Sequence, residues 1–117
     1  MSCKIIVSSR FKRDAKKLVK KYRSLSRDLQ RLQEELLENP YSGTRIGESS
    51  YKIRLAIQSK GRGKSGGGRV ITHVDARIIE EEELIKVYLL TIYDKAQTES
   101  YSEAEVNRML KAALEEE

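Results

Sequence analysis

The stretch SKGRGKSGGGR, from Ser59 to Arg69, decides the fold, because its identity depends on what the chain does next. It holds five glycines and four cations and no acid. Gly61, Gly63 and Gly66 fit the dinucleotide-binding spacing G-x-G-x-x-G, and GKS at 63–65 matches the end of a P-loop. Both motifs deliver a phosphate to the N-terminus of the helix that follows them. Here the residues from Arg69 onward, RVITHV, alternate like a strand, and no helical pattern opens. A P-loop would also need its first glycine at position 58, which is Gln58. The stretch therefore reads as a basic hairpin arm between two strands. Lys60, Arg62 and Lys64 are its expected phosphate contacts, and its glycines let backbone N–H groups approach an anion closely.

Before the arm, YKIRLAI (51–57) alternates apolar Tyr51, Ile53, Leu55 and Ile57 with Lys52, Arg54 and Ala56. Period two sends one set into a core and makes Lys52 and Arg54 project together, about 7 Å apart. After it, RVITHVDARII (69–79) is a strand, the four glutamates 80–83 turn the chain, and LIKVYLLTIY (84–93) is a long apolar strand in a central position. Lys4–Val7 suit a first strand. Ser8 or Ser9 caps a helix with Phe11, Ala15, Leu18, Val19 and Tyr22 on one face. A second helix carries Leu25, Leu29, Leu32 and Leu36, and Pro40 ends it. Ser102–Glu105 is a capping box opening a terminal helix, whose acidic end, Glu115–Glu117, reads as solvated. The order is β-α-α-β-β-β-α. The expectation is one α+β domain over residues 1–117, a small antiparallel sheet with a helical hairpin on one face and a C-terminal helix.

Charge narrows the function. Residues 1–79 hold 19 basic against 7 acidic residues, a net +12, whereas residues 80–117 hold 4 against 11, a net −7. No acid occurs between Ser49 and Val74, where six cations stand. Ordinary surfaces mix signs, so this zone suits an anionic partner, nucleic acid foremost. No apolar run approaches a membrane span, no leader pattern opens the chain, and Cys3 is the only cysteine, so a cytoplasmic protein with an inert thiol is expected. His73 is the only histidine and reads as structural, and no metal or other cofactor is implied. Exposed Lys, Arg and Tyr side chains suffice for one reaction, metal-free RNA cleavage. There the 2′-hydroxyl is an internal nucleophile, and the protein need only orient it, neutralise the phosphorane and move two protons.

YKIRL at 51–55, GGRVI at 67–71, LLTIYDK at 89–95 and SYSEAE at 100–105 together resemble the RelE/ParE toxins of bacterial type II toxin–antitoxin modules. The GKSGGGRVI arm is similar to the HigB-like branch. The resemblance implies an mRNA endonuclease acting in the ribosomal A site, with Lys52, Arg54, Arg69, Lys95 and Tyr101 as the catalytic set. By analogy Lys52 or Tyr101 is the general base, Arg54 and Arg69 hold the scissile phosphate, and Lys95 protonates the leaving 5′-oxygen. Lys64 and Tyr93 stand where they would share the work, Tyr93 as a further RNA or phosphate contact. Arg54 replaces a lysine of RelE, and Lys95 replaces an arginine. The implied partners are a small antitoxin, the ribosome with its mRNA, and promoter DNA through the antitoxin. A ParE-like inhibitor of DNA gyrase and a non-catalytic nucleic-acid-binding module are the competing expectations.

Overall fold

β-branched Ile5, Ile6 and Val7 favour extended chain, and β1 runs Ser2–Val7 in the computed structural model, which describes residues 2–61, 63, 66–97 and 100–117. Ser8 then leaves the strand, and its hydroxyl accepts the Phe11 N–H at 3.1 Å, capping α1 (Ser9–Lys21). α1 buries Phe11, Ala15 and Leu18, while Val19, at the edge of the expected stripe, is exposed. α2 (Leu25–Glu38) buries Leu25, Leu32 and Leu36 and stops at Asn39, which the following Pro40 holds out of helical geometry.

The remaining elements are β2 (Thr44–Arg45), β3 (Ser50–Leu55), a 3-10 turn (Gln58–Lys60), β4 (Gly68–Ile79), β5 (Glu82–Asp94) and α3 (Glu103–Glu115), and the strands form a sheet of order β1-β5-β4-β3-β2. Two details depart from expectation. The two-residue β2 is added at one edge, and β1 pairs with β5 in parallel, so the sheet is mixed. Parallel pairing needs a long connection, and the two helices and three strands between β1 and β5 supply it. The turn is also tighter than four glutamates suggest. Glu80 and Glu81 alone make it, with φ of 52° and 66°, the left-handed geometry of a two-residue hairpin loop.

The sheet buries both faces. Against α1 and α2 lie Ile53, Leu55, Val70, Val74, Val87, Leu89 and Ile92; against α3 lie Ile71, Tyr88, Leu90 and Tyr93. The β5 residues in these sets reveal a bulge. Ile71 pairs with Thr91 but Thr72 pairs with Leu89, so β5 carries one extra residue at Leu90. A bulge reverses which face each later side chain takes. Tyr93 thus joins Tyr88 and Leu90 on the α3 face, and Asp94 turns toward the helical hairpin. α1 holds the bulge in place: the Ser8 hydroxyl donates to the Leu90 carbonyl at 3.2 Å, and Thr91 Oγ1 donates to Asp14 at 2.7 Å.

Two buried aspartates anchor the start of the glycine arm. Asp28 accepts from the Gln58 N–H at 3.2 Å and from the Ser24 hydroxyl at 2.8 Å, and the same hydroxyl accepts the Ser59 N–H. Asp94, 2% exposed, accepts from the Lys60 ammonium at 2.7 Å and from the Tyr22 hydroxyl. At the other end of the chain, Glu116 accepts from the Ser9 N–H and hydroxyl. It supplies negative charge to the N-terminus of α1, whose first turn has no acid. Glu117 accepts from Lys86 and Tyr88, so the acidic end is exposed, as expected, but tethered at its last two residues.

Burial alone would raise the Asp94 carboxyl, but hydrogen bonds from Lys60, Tyr22 and the Ala96 N–H outweigh it and hold the group at about 2. A carboxyl held below its usual 3.8 stabilises the fold fully above that value and stops doing so as pH falls toward 2. The stability difference between the protein and its Asp94→Asn variant should therefore shrink by about 2 kcal/mol between pH 5 and pH 2. Urea unfolding across that range measures it, and a difference independent of pH would refute the network.

Candidate nucleic-acid interface

Strand alternation puts Ser50, Lys52 and Arg54 on one face of β3, and register then fixes their neighbours. Arg54 pairs directly with Arg69 on β4, and Arg69 pairs with Tyr93 on β5. Directly opposed residues have Cβ atoms about 5 Å apart, so the side chains of Arg54, Arg69 and Tyr93 start from one row roughly 10 Å long. Arg69 is buried, and its Nη1 donates to the Gly68 carbonyl at 3.0 Å. Arg54 is exposed and also borders a cleft beside Arg31 and Glu35 of α2. Gly67 lets the chain entering β4 lie close against the end of β3, since a Cβ there would lie 2.1 Å from the Leu55 carbonyl oxygen.

Lys52 pairs with Ile71 and borders a cavity of about 340 Å³ between the sheet, α3 and the segment joining β2 to β3. Tyr93 and Tyr101 stand together on its wall, edge to face with centroids 5.1 Å apart. Arg10, from the first turn of α1, lies 5.4 Å from the Tyr101 ring centroid, and its Nη2 donates to the phenol oxygen at 3.5 Å. Asp14 holds Arg10 through Nε at 3.4 Å. Lys95 is exposed in the turn after β5, and its N–H donates to the Gly67 carbonyl at 3.4 Å, beside the base of the arm.

The structure thus brings Lys52, Arg54, Arg69 and Tyr101 to one side of the sheet, with Lys95 at the rim. Two expected phosphate contacts are placed otherwise. Lys60 faces the helical hairpin, because Asp94 takes its ammonium there. Tyr93 is 5% exposed and forms the wall of the site instead of projecting from it. Arg62 and Lys64 lie outside the described residues. Arg10 was not legible in the sequence, where it is one of many cations on the polar face of α1, and no spacing rule links positions 10 and 101. His73 also borders the cavity; burial lowers its pKa, against a weaker upward pull from Asp75. Among the described residues no three His, Cys, Asp or Glu side chains converge, and no helix is long and apolar enough to cross a membrane.

The Tyr93 hydroxyl is buried and has no hydrogen-bond partner among the described residues. Burial pushes its pKa up, against the pull of the Arg69 guanidinium. An unpaired buried hydroxyl contributes nothing to stability. Tyr93→Phe should therefore melt at the same temperature as the parent or higher, and a fall of more than about 1 kcal/mol would show that the hydroxyl has a partner.

No protein-family model matches this chain. Its structure is similar to that of E. coli toxin RelE in the free state, solved as a double arginine-to-alanine mutant, with a TM-score of 0.52. The two are 18% identical, and the alignment covers 99% of this chain and 98% of RelE. At that identity the likeness is one of architecture: the chain has a RelE-like α+β fold from end to end.

Proposed function

We propose that this protein is the toxin of a type II toxin–antitoxin module and cleaves mRNA in the ribosomal A site. The observation that carries the reading is the direct register of Arg54, Arg69 and Tyr93 across three strands, beside a cavity bordered by Lys52 and Tyr101. Two arginines directly opposed in register can present paired N–H donors to the non-bridging oxygens of a phosphodiester. The RelE-like fold supports the same reading by analogy, since fold alone does not specify chemistry.

In this mechanism the substrate's 2′-oxygen attacks the adjacent phosphorus, and the bond to the 5′-oxygen breaks. Lys52 or Tyr101 takes the 2′-hydroxyl proton, Arg54 and Arg69 hold the charge that grows on the phosphorane, and Lys95 returns a proton to the departing 5′-oxygen. The products are a 2′,3′-cyclic phosphate and a free 5′-hydroxyl. The internal nucleophile makes a metal-bound water unnecessary. The ribosome contributes by fixing the mRNA in line. A small antitoxin protein covers the cationic face, and the complex reaches promoter DNA through that partner.

Programmed ribosomes with end-mapping of the mRNA test this reading. The wild-type protein should produce codon-phased cuts. Arg54→Ala and Arg69→Ala should each slow cleavage about a hundredfold or more, and Tyr101→Phe by at least tenfold. Salt-sensitive RNA binding with no cuts, unchanged by Tyr101→Phe, would leave a non-catalytic binding module. Intact transcripts with broken chromosomes in expressing cells would identify a gyrase inhibitor instead.

A further inference from the structure

We infer that the cavity beneath α3 is a nucleobase site, which receives the base attached to the phosphate that the arginine row holds; this rests on the phosphodiester reading of that row. At about 340 Å³ the cavity is at the small end of ligand pockets, suited to one nucleoside and not to a longer strand. One part of its wall is flat and apolar: the rings of His73, Tyr93 and Tyr101, with Ile71, Val106 and Leu110 around them; the rest is polar. Aromatic walls of this kind bind bases by stacking. The charges favour a neutral ring over an anion. Two carboxylates, Glu48 and Glu103, line the cavity against one ammonium, Lys52, whereas the arginine row beyond it is purely cationic and attracts a phosphate.

The spacing agrees. Ile71 borders the cavity and Arg69 stands two residues away on the same face of β4, about 7 Å along the strand. That is the reach from a base to the phosphate of its own nucleotide. Asn107 and Ser50 contribute hydrogen-bonding groups to the lining, so the site should distinguish one base edge from another instead of accepting all equally.

The test is an NMR titration of the isolated protein with each of the four nucleoside 3′-monophosphates, with inorganic phosphate as the control. At least one nucleotide should bind about tenfold more tightly than phosphate, move the resonances of His73, Tyr101 and Asn107, and differ severalfold from the other bases. Asn107→Trp, at an exposed position on α3, should fill the opening and remove the nucleotide's advantage while leaving phosphate binding intact. A thermal melt checks that this variant folds. Nucleotides that bind no better than phosphate, or an advantage untouched by Asn107→Trp, would overturn the inference. Because neither ribosome nor cleavage enters the measurement, base binding without mRNA cleavage would sink the nuclease reading alone. Cleavage without base binding would sink only the cavity assignment.

Discussion

One extra residue in β5 governs how this molecule is arranged. If the strand kept strict alternation past Leu90, Tyr93 would face the helical hairpin and Asp94 would face α3. The bulge exchanges them. Tyr93 lines up with Arg69 and Arg54 on one side, and Asp94 meets Lys60 and Tyr22 on the other. α1 secures the exchange through Ser8 and Asp14, which satisfy the Leu90 carbonyl and the Thr91 hydroxyl where the ladder is irregular. The tyrosine end of the row and the anchor of the glycine arm thus share one local cause on opposite faces of the sheet.

Charge is segregated along the same strands. β4 begins at the arginine row and ends beside Glu80 and Glu81, roughly 36 Å away by strand rise, in a molecule 45 Å long. A phosphate-rich partner is attracted to one end and repelled from the other, which orients an encounter before any contact forms. At short range the cavity mixes signs, with Glu48, Glu103 and Lys52 all in its lining and the arginine row beside it.

Much of the architecture was legible because β3 and the helices advertise their faces. Lys52 and Arg54 interrupt an otherwise apolar strand at period two, and the leucines of α2 recur at helical spacing, so each outward face can be read directly. β5 hides its face. LIKVYLLTIY is apolar on both sides because helices cover both, and a continuous apolar run carries no sign of a bulge. The destination of Lys60 was hidden for the same reason: its partner Asp94 reaches the hairpin side only through the bulge. Arg10 was illegible for another reason, since its meeting with Tyr101 joins residues from the two ends of the chain.

The most direct measurement is a crystal structure with a short RNA whose attacking 2′-hydroxyl is replaced by hydrogen, which preserves the phosphodiester and blocks its cleavage. Its scissile phosphate should lie between the Arg54 and Arg69 guanidinium groups, with Lys52 and Tyr101 flanking the sugar. A phosphate held instead by the lysines of α1, with the row between β3 and β5 unoccupied, would contradict the whole arrangement.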